Sequence, residues 1–209
     1  DIATRAGGAI KIAVPRLARI SNFDDLDPLV AEPNVTVEII EQGQPLPGDA
    51  SLMILPGSKS TISDLESFRA NGWDIDLQAH HRRGGQIIRI CGGYQMLGRK
   101  VHDPDGIEGA PRSIDGLGYL NIETTMSPKK NLSLTEAHSA ETNTPVRGYE
   151  IHLGQSSGAD CQNPWLPEGL TGPWGASWEA FFSCFLASRC STFRVLPRPT
   201  APTPSSPLA

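Results

Sequence analysis

The chain has 209 residues and a formal net charge of −5, from 18 Lys and Arg against 23 Asp and Glu, so charge gives no reason to expect nucleic acid or an anionic membrane as partner. No apolar run approaches the ~20 residues of a membrane span, and no secretory signal opens the chain, which starts at Asp1 and so reads as a piece of something longer. Its four cysteines (Cys91, Cys161, Cys184, Cys190) are scattered with no CxxC pair, which argues against zinc and a disulfide scaffold and for a reducing, cytoplasmic setting.

In chain order, "IKIAV" (Ile10–Val14) and "VTVEII" (Val35–Ile40) are short β-branched runs, followed by "SLMIL" (Ser51–Leu55) and "QIIRI" (Gln86–Ile90). Each is short and apolar enough for a buried parallel strand. Between the last two, "STISDLESFRANG" predicts a helix with Ile62, Leu65 and Phe68 near one face. Thr61 is its expected N-cap, with Asp64 three residues on, and Gly72 its stop. "DIDLQAHHRRGG" predicts a second helix ending at Gly84–Gly85. Strand–helix alternation of this kind specifies an α/β fold, a mostly parallel sheet flanked by helices on both faces. Further strands are expected around Leu117–Thr125 and Arg147–Gly154.

"IIRICGGYQMLG" places Cys91 between an apolar strand and a pair of glycines that open a helix. That is the strand–turn–helix pattern of a nucleophile elbow, which exposes a side chain at the carboxyl edge of a sheet. Glycine after the cysteine leaves an N–H free to approach a developing oxyanion, and a helix N-terminus favours thiolate. A lone cysteine in an apolar run equally suits a buried core residue. The second glycine-rich turn, "ILPGSKSTISDL" (Ile54–Leu65), also joins strand to helix, so Gly57 can offer a second oxyanion donor or serve the turn alone. Its Lys59 does not make a phosphate loop, because GxxxxGK[ST] is absent.

Four segments in order, "ISNFDDLDPL" (Ile20–Leu29), "ILPGSKSTISDL", "ICGGYQMLG" and "VRGYEIHLG" (Val146–Gly154), resemble the glutamine amidotransferase domain of the cobyric acid synthase family over about Ile10 to Gly158. The resemblance implies a flavodoxin-like class I amidotransferase fold, with Cys91 as the nucleophile that forms a glutamyl thioester and releases ammonia. It implies oxyanion or glutamine-binding roles for Gly57, Ser58, Gly92, Gly93 and Gln95, and L-glutamine as substrate. Ammonia would pass to an ATP- and Mg-dependent synthetase domain, missing here, that amidates the corrinoid cobyrinic acid a,c-diamide. No cofactor or metal is expected in this chain itself.

Three positions depart from the family pattern. Arg89 stands two before the nucleophile, where the family prefers glycine, and a long side chain there threatens the tight turn. Pro15 removes a ladder N–H from what should be an interior strand. The family's base histidine lies in a Gly-Thr-Tyr-x-His-Gly-like segment expected near Ser177–Ser188, yet no histidine follows His152. His152 is the remaining candidate for the base; His80, His81, His102 and His138 are expected to be solvated.

Beyond about Asp160 the composition shifts: only Glu168 and Glu179 are acidic from Cys161 onward, and "RVLPRPTAPTPSSPLA" is a Pro/Ser/Thr run. The expected organisation is a linker over 1–9 from a missing upstream domain, the amidotransferase domain over 10–160, and an aberrant or disordered tail over 161–209. A shift of reading frame near residues 160–175 would account for such a tail. Two other functions stay open: a non-catalytic module that keeps the amidotransferase fold, and another cysteine-dependent α/β enzyme such as a class I amidopeptidase.

Overall fold

The computed structural model of the protein describes residues 9–128, 131–138, 145–152 and 154–162. The expected tail beyond residue 162 and the expected base segment at Ser177–Ser188 lie outside the described residues, as does the linker over residues 1–8.

Four strands form the central sheet: β1 (Ile10–Pro15), β2 (Val35–Ile40), β3 (Leu52–Leu55) and β4 (Gln86–Arg89). All pair in parallel, in the order β2-β1-β3-β4. The alternation of side chains along each strand divides the apolar residues between two faces. Ala13, Met53, Leu55 and Ile87 belong to one buried cluster, and Ile12, Val14, Ile54 and Ile88 to the other. The first face packs against α2 (Thr61–Ala70), α3 (Trp73–Arg82) and α4 (Gly92–Leu97) through Leu65, Phe68, Trp73, Leu77 and Tyr94. Leu26, at the end of a 3-10 turn, and Leu29 and Val30 of α1 (Asp27–Val30) cover the second. Burial on both faces is why these strands are almost uninterrupted apolar runs.

The first connection leads from β1 to one side and the next returns to the other, so strand order reverses between β1 and β3. At such a switch point the loops leaving the carboxyl ends of neighbouring strands splay apart and leave a crevice. Pro15 does no harm in this interior strand, because it is the last residue of β1, opposite Ile40, and Arg16 N–H resumes the contact with Ile40 O at 2.9 Å.

α2 shows the face expected of it, with Ile62, Leu65 and Phe68 fully buried, and Gly72 beyond its end has φ 73°. Its N-terminus differs from expectation. Ser60, not Thr61, is the N-cap residue and its side chain caps nothing; Asp64 turns instead to Ser58.

The chain then builds a second sheet from β5 (Lys100–Asp103), β6 (Arg112–Asp115), β7 (Ile122–Thr125) and β10 (Gln155–Gly158), in the order β10-β7-β5-β6. β8 (Asn131–His138) and β9 (Pro145–His152) form an antiparallel pair. The strand expected over Leu117–Thr125 is confined to its last four residues. Short, charged β5 and β6 carry no apolar run to announce them. No helix among the described residues is long and apolar enough to cross a membrane.

Candidate active site

Cys91 lies two residues past the end of β4 and is the N-cap residue of α4, with φ 47° and ψ −107°. It is the one non-glycine residue with positive φ among the described residues. Such a conformation costs on the order of 1–3 kcal/mol and persists only where its surroundings over-determine it. Here they do. Gly93 N–H donates to Ile90 O at 2.8 Å, and Cys91 O accepts from Tyr94 N–H at 3.0 Å and Gln95 N–H at 3.3 Å. A Cβ on Gly92 would sit 2.9 Å from Ser58 N, and one on Gly93 would collide with Leu55 O. The two glycines therefore let α4 press against the backbone leaving β3. Cys91 itself is half-buried and packs against the second buried cluster, whereas Cys161 is buried at 5% exposure.

The loop after β3 forms the second wall. A Cβ on Gly57 would collide with Ser21 Oγ and lie 3.5 Å from Cys91 Cβ, so this turn is pinched between Cys91 and the loop after β1. Ser21 N–H donates to Gly57 O at 2.8 Å and Lys59 N–H to Arg19 O at 2.8 Å, around an antiparallel bridge between Ile20 and Ser58. A trans peptide directs its C=O and N–H to opposite sides. With Gly57 O held by Ser21, Ser58 N–H faces away from Ser21, on the side where Ser58 N meets Gly92. Among the described residues, the N–H groups of Gly57, Ser58 and Gly92 donate to no backbone carbonyl.

Asp64, 1% exposed, ties these loops together. Ser58 Oγ donates to its Oδ2 at 2.6 Å while accepting from Ser60 N–H at 2.9 Å. Burial raises the Asp64 pKa, against the opposing pull of the Ser58 hydroxyl and of N–H groups from Arg19 and Ala18. Gln95 is 7% exposed, and its Oε1 accepts from Thr61 Oγ1 at 2.8 Å, so it joins α4 to α2.

The α2 N-terminus is capped from far along the chain. Glu108 Oε1 accepts from Thr61 N–H and Oε2 from Ile62 N–H, both at 2.8 Å. Asp103, 1% exposed, holds Ile107 N–H and Glu108 N–H at 2.8 Å each. Sequence reasoning did not single out Glu108, because "DPDGIEG" reads as an ordinary polar turn; Ser21 was visible only as part of "ISNFDDLDPL".

Arg89 points into the protein interior from β4. It is 1% exposed, and its guanidinium carbon lies 6.0 Å from the centroid of the Tyr94 ring. Of the histidines expected to be solvated, His80 departs from that expectation by being buried. His80 is buried with Nε2 2.9 Å from Gln86 O, His81 packs edge-on against Tyr119, and His102 lies between Ser113 and Glu123 across the second sheet. Each found a partner on an element its own helix or strand pattern did not reveal. His152 is the last residue of β9, opposite Asn131, and His138 the last of β8, opposite Pro145; their side chains lie outside the described residues. Among the described residues no group of three or more His, Cys, Asp or Glu could hold a metal ion.

Residues 11–172 match the CobB/CobQ-like glutamine amidotransferase domain. The cobyric acid synthase of Ruegeria sp. (strain TM1040) is 55% identical over 166 residues, covering 79% of this chain and 34% of that relative. That of Rhizobium johnstonii (strain DSM 114642 / LMG 32736 / 3841) is 61% identical over 157 residues, covering 75% and 32%. The chain thus spans about a third of the length of the curated relatives it matches. Among solved structures, PurLQS from Thermotoga maritima has a TM-score of 0.53 at 17% identity, over 75% of this chain and 73% of that one, a likeness of fold.

Proposed function

Because this chain belongs to the CobB/CobQ-like glutamine amidotransferase domain family, we propose that it is the glutamine-hydrolysing portion of a cobyric acid synthase, with Cys91 as nucleophile. The observation that carries the reading is the backbone of Cys91, held at φ 47° at a strand–helix elbow beside the Gly57–Ser58 turn. The thiolate attacks the side-chain amide carbon of L-glutamine. Charge that develops on the amide oxygen is received by N–H groups of the Gly57–Ser58 turn and of Gly92. The C–N bond then breaks as the base that took the Cys91 proton returns it to the departing nitrogen, and water hydrolyses the glutamyl thioester to glutamate. Gly93 and Gln95 shape the site by letting α4 approach β3 and by anchoring it to α2.

His152, which the sequence puts forward, is the candidate base. General-base assistance is worth ~10²–10⁴-fold, so a chain in which His152 does not fill that role acylates slowly and retains the thioester. The released ammonia serves amidation of a corrinoid carboxylate, cobyrinic acid a,c-diamide, by an ATP- and Mg-dependent synthetase portion, in the cytoplasm. ATP and Mg belong to that portion. The domain is read as residues 10–160 with a tail over 161–209; the family match begins at residue 11 and runs past that boundary to residue 172.

The test is covalent labelling with the glutamine analogue 6-diazo-5-oxo-norleucine. Stoichiometric modification of Cys91, absent in Cys91→Ser and prevented by excess glutamine, is expected. An unmodified Cys91 in folded protein would favour a non-catalytic module of the same fold.

A further inference from the structure

We propose that Glu108 is a positioning residue of the nucleophile elbow, acting through α2 on the helix that begins at Cys91. This rests on the reading of Cys91 as the nucleophile.

The first turn of any helix has N–H groups without intrahelical partners, normally met by the N-cap side chain. α2 lacks that local solution, since Ser60 is 7% exposed and its side chain makes no capping bond. Glu108, from the loop between β5 and β6, supplies both acceptors at once, to Thr61 N–H and Ile62 N–H. Its carboxylate also meets the positive end of the helix dipole. The arrangement is rigid on the other side too, because Asp103 grips the N–H of Glu108 and of its neighbour Ile107.

Thr61 is the junction. Its N–H is held by Glu108 and its hydroxyl donates to Gln95 Oε1 at 2.8 Å, inside α4. Gln95 N–H in turn donates to Cys91 O at 3.3 Å. An unbroken path of hydrogen bonds thus runs from Asp103 through Glu108, Thr61 and Gln95 to the backbone of Cys91. Cys91 sits in a conformation that relaxes unless such contacts hold it. Glu108 touches no reacting atom on this path; it acts through Thr61 and Gln95 on the backbone of Cys91.

The test compares the wild-type chain with Glu108→Gln, which converts one acceptor oxygen into an amide donor, and with Glu108→Asp, which keeps the charge. Hydrogen exchange is read separately in peptides covering residues 61–65 and 91–97. Positioning predicts that Glu108→Gln lowers protection in both segments by ~10-fold or more. It also predicts a maximal rate of Cys91 modification by 6-diazo-5-oxo-norleucine lower by about tenfold or more, with the half-saturating concentration within about threefold of wild type. Glu108→Asp should recover part of each loss. The proposal is overturned if exchange rises only in residues 61–65, or if the labelling rate stays within about twofold of wild type. Should Glu108→Gln not fold, Glu108→Asp measured below its melting temperature decides by the same two readouts. A wild-type chain that the analogue does not label would overturn the glutaminase reading alone, since the exchange pattern needs no glutamine chemistry.

Discussion

The hydroxyl of Thr61 donates to the side-chain oxygen of Gln95 at 2.8 Å, joining the first residue of α2 to the middle of α4. Both residues are buried. Thr61→Val keeps the shape but removes this donor from Gln95 Oε1, and an unmet buried acceptor costs roughly 1–3 kcal/mol. Urea unfolding should show that loss, with Thr61→Ser recovering most of it. An unchanged midpoint for Thr61→Val would mean that the hydroxyl is dispensable.

Gly93→Ala brings a methyl group against Leu55 O, a backbone atom at the end of β3 that cannot swing aside. Overpacking of this kind costs typically 1–3 kcal/mol. The expected result is a lower melting temperature together with slower alkylation of Cys91 by the glutamine analogue, because α4 must move off β3. Wild-type values for both would show that the close approach is not needed.

His80 makes stability depend on pH. Burial lowers its pKa from the ordinary 6.5, opposed by the bond to Gln86 O and assisted by the charges of Arg83 and His81. The folded state thus resists protonation more than the unfolded chain does. Its contribution is complete above the unfolded pKa near 6.5 and is lost as pH falls below it. Urea midpoints should therefore decline between about pH 7 and pH 5, with a shallower slope in His80→Gln. Parallel slopes for the two proteins would remove His80 as the cause.

Glycine at position 89 should not improve this protein. Arg89 is 1% exposed beside the Tyr94 ring, so Arg89→Gly empties a filled space and loosens an interior strand. Large-to-small substitution in a core costs about 2–5 kcal/mol. A fall in thermal stability without faster labelling of Cys91 is the expected outcome. A stabilised or more reactive variant would show that the arginine does strain the elbow.

By itself the sequence determined the four parallel strands, the α2 face of Ile62, Leu65 and Phe68, and the elbow at Cys91. These signals are local: β-branched runs, a helical period and paired glycines act within a few residues. The order of four segments, ISNFDDLDPL, ILPGSKSTISDL, ICGGYQMLG and VRGYEIHLG, also carried the family resemblance, which the match over residues 11–172 bears out. Tertiary structure decided everything whose partner lies far along the chain. Thr61 and Asp64 looked like a local capping box, yet the cap is Glu108, 46 and 47 residues away from the N–H groups it holds. His80 looked solvated on a polar helix, yet the sheet strand at Gln86 buries it. Arg89 looked incompatible with a tight turn, yet the ring of Tyr94 lies beside it. Propensity and period report the conformation of a segment. Only packing brings distant donors and acceptors together, because a buried polar group must take whatever partner the completed fold places beside it.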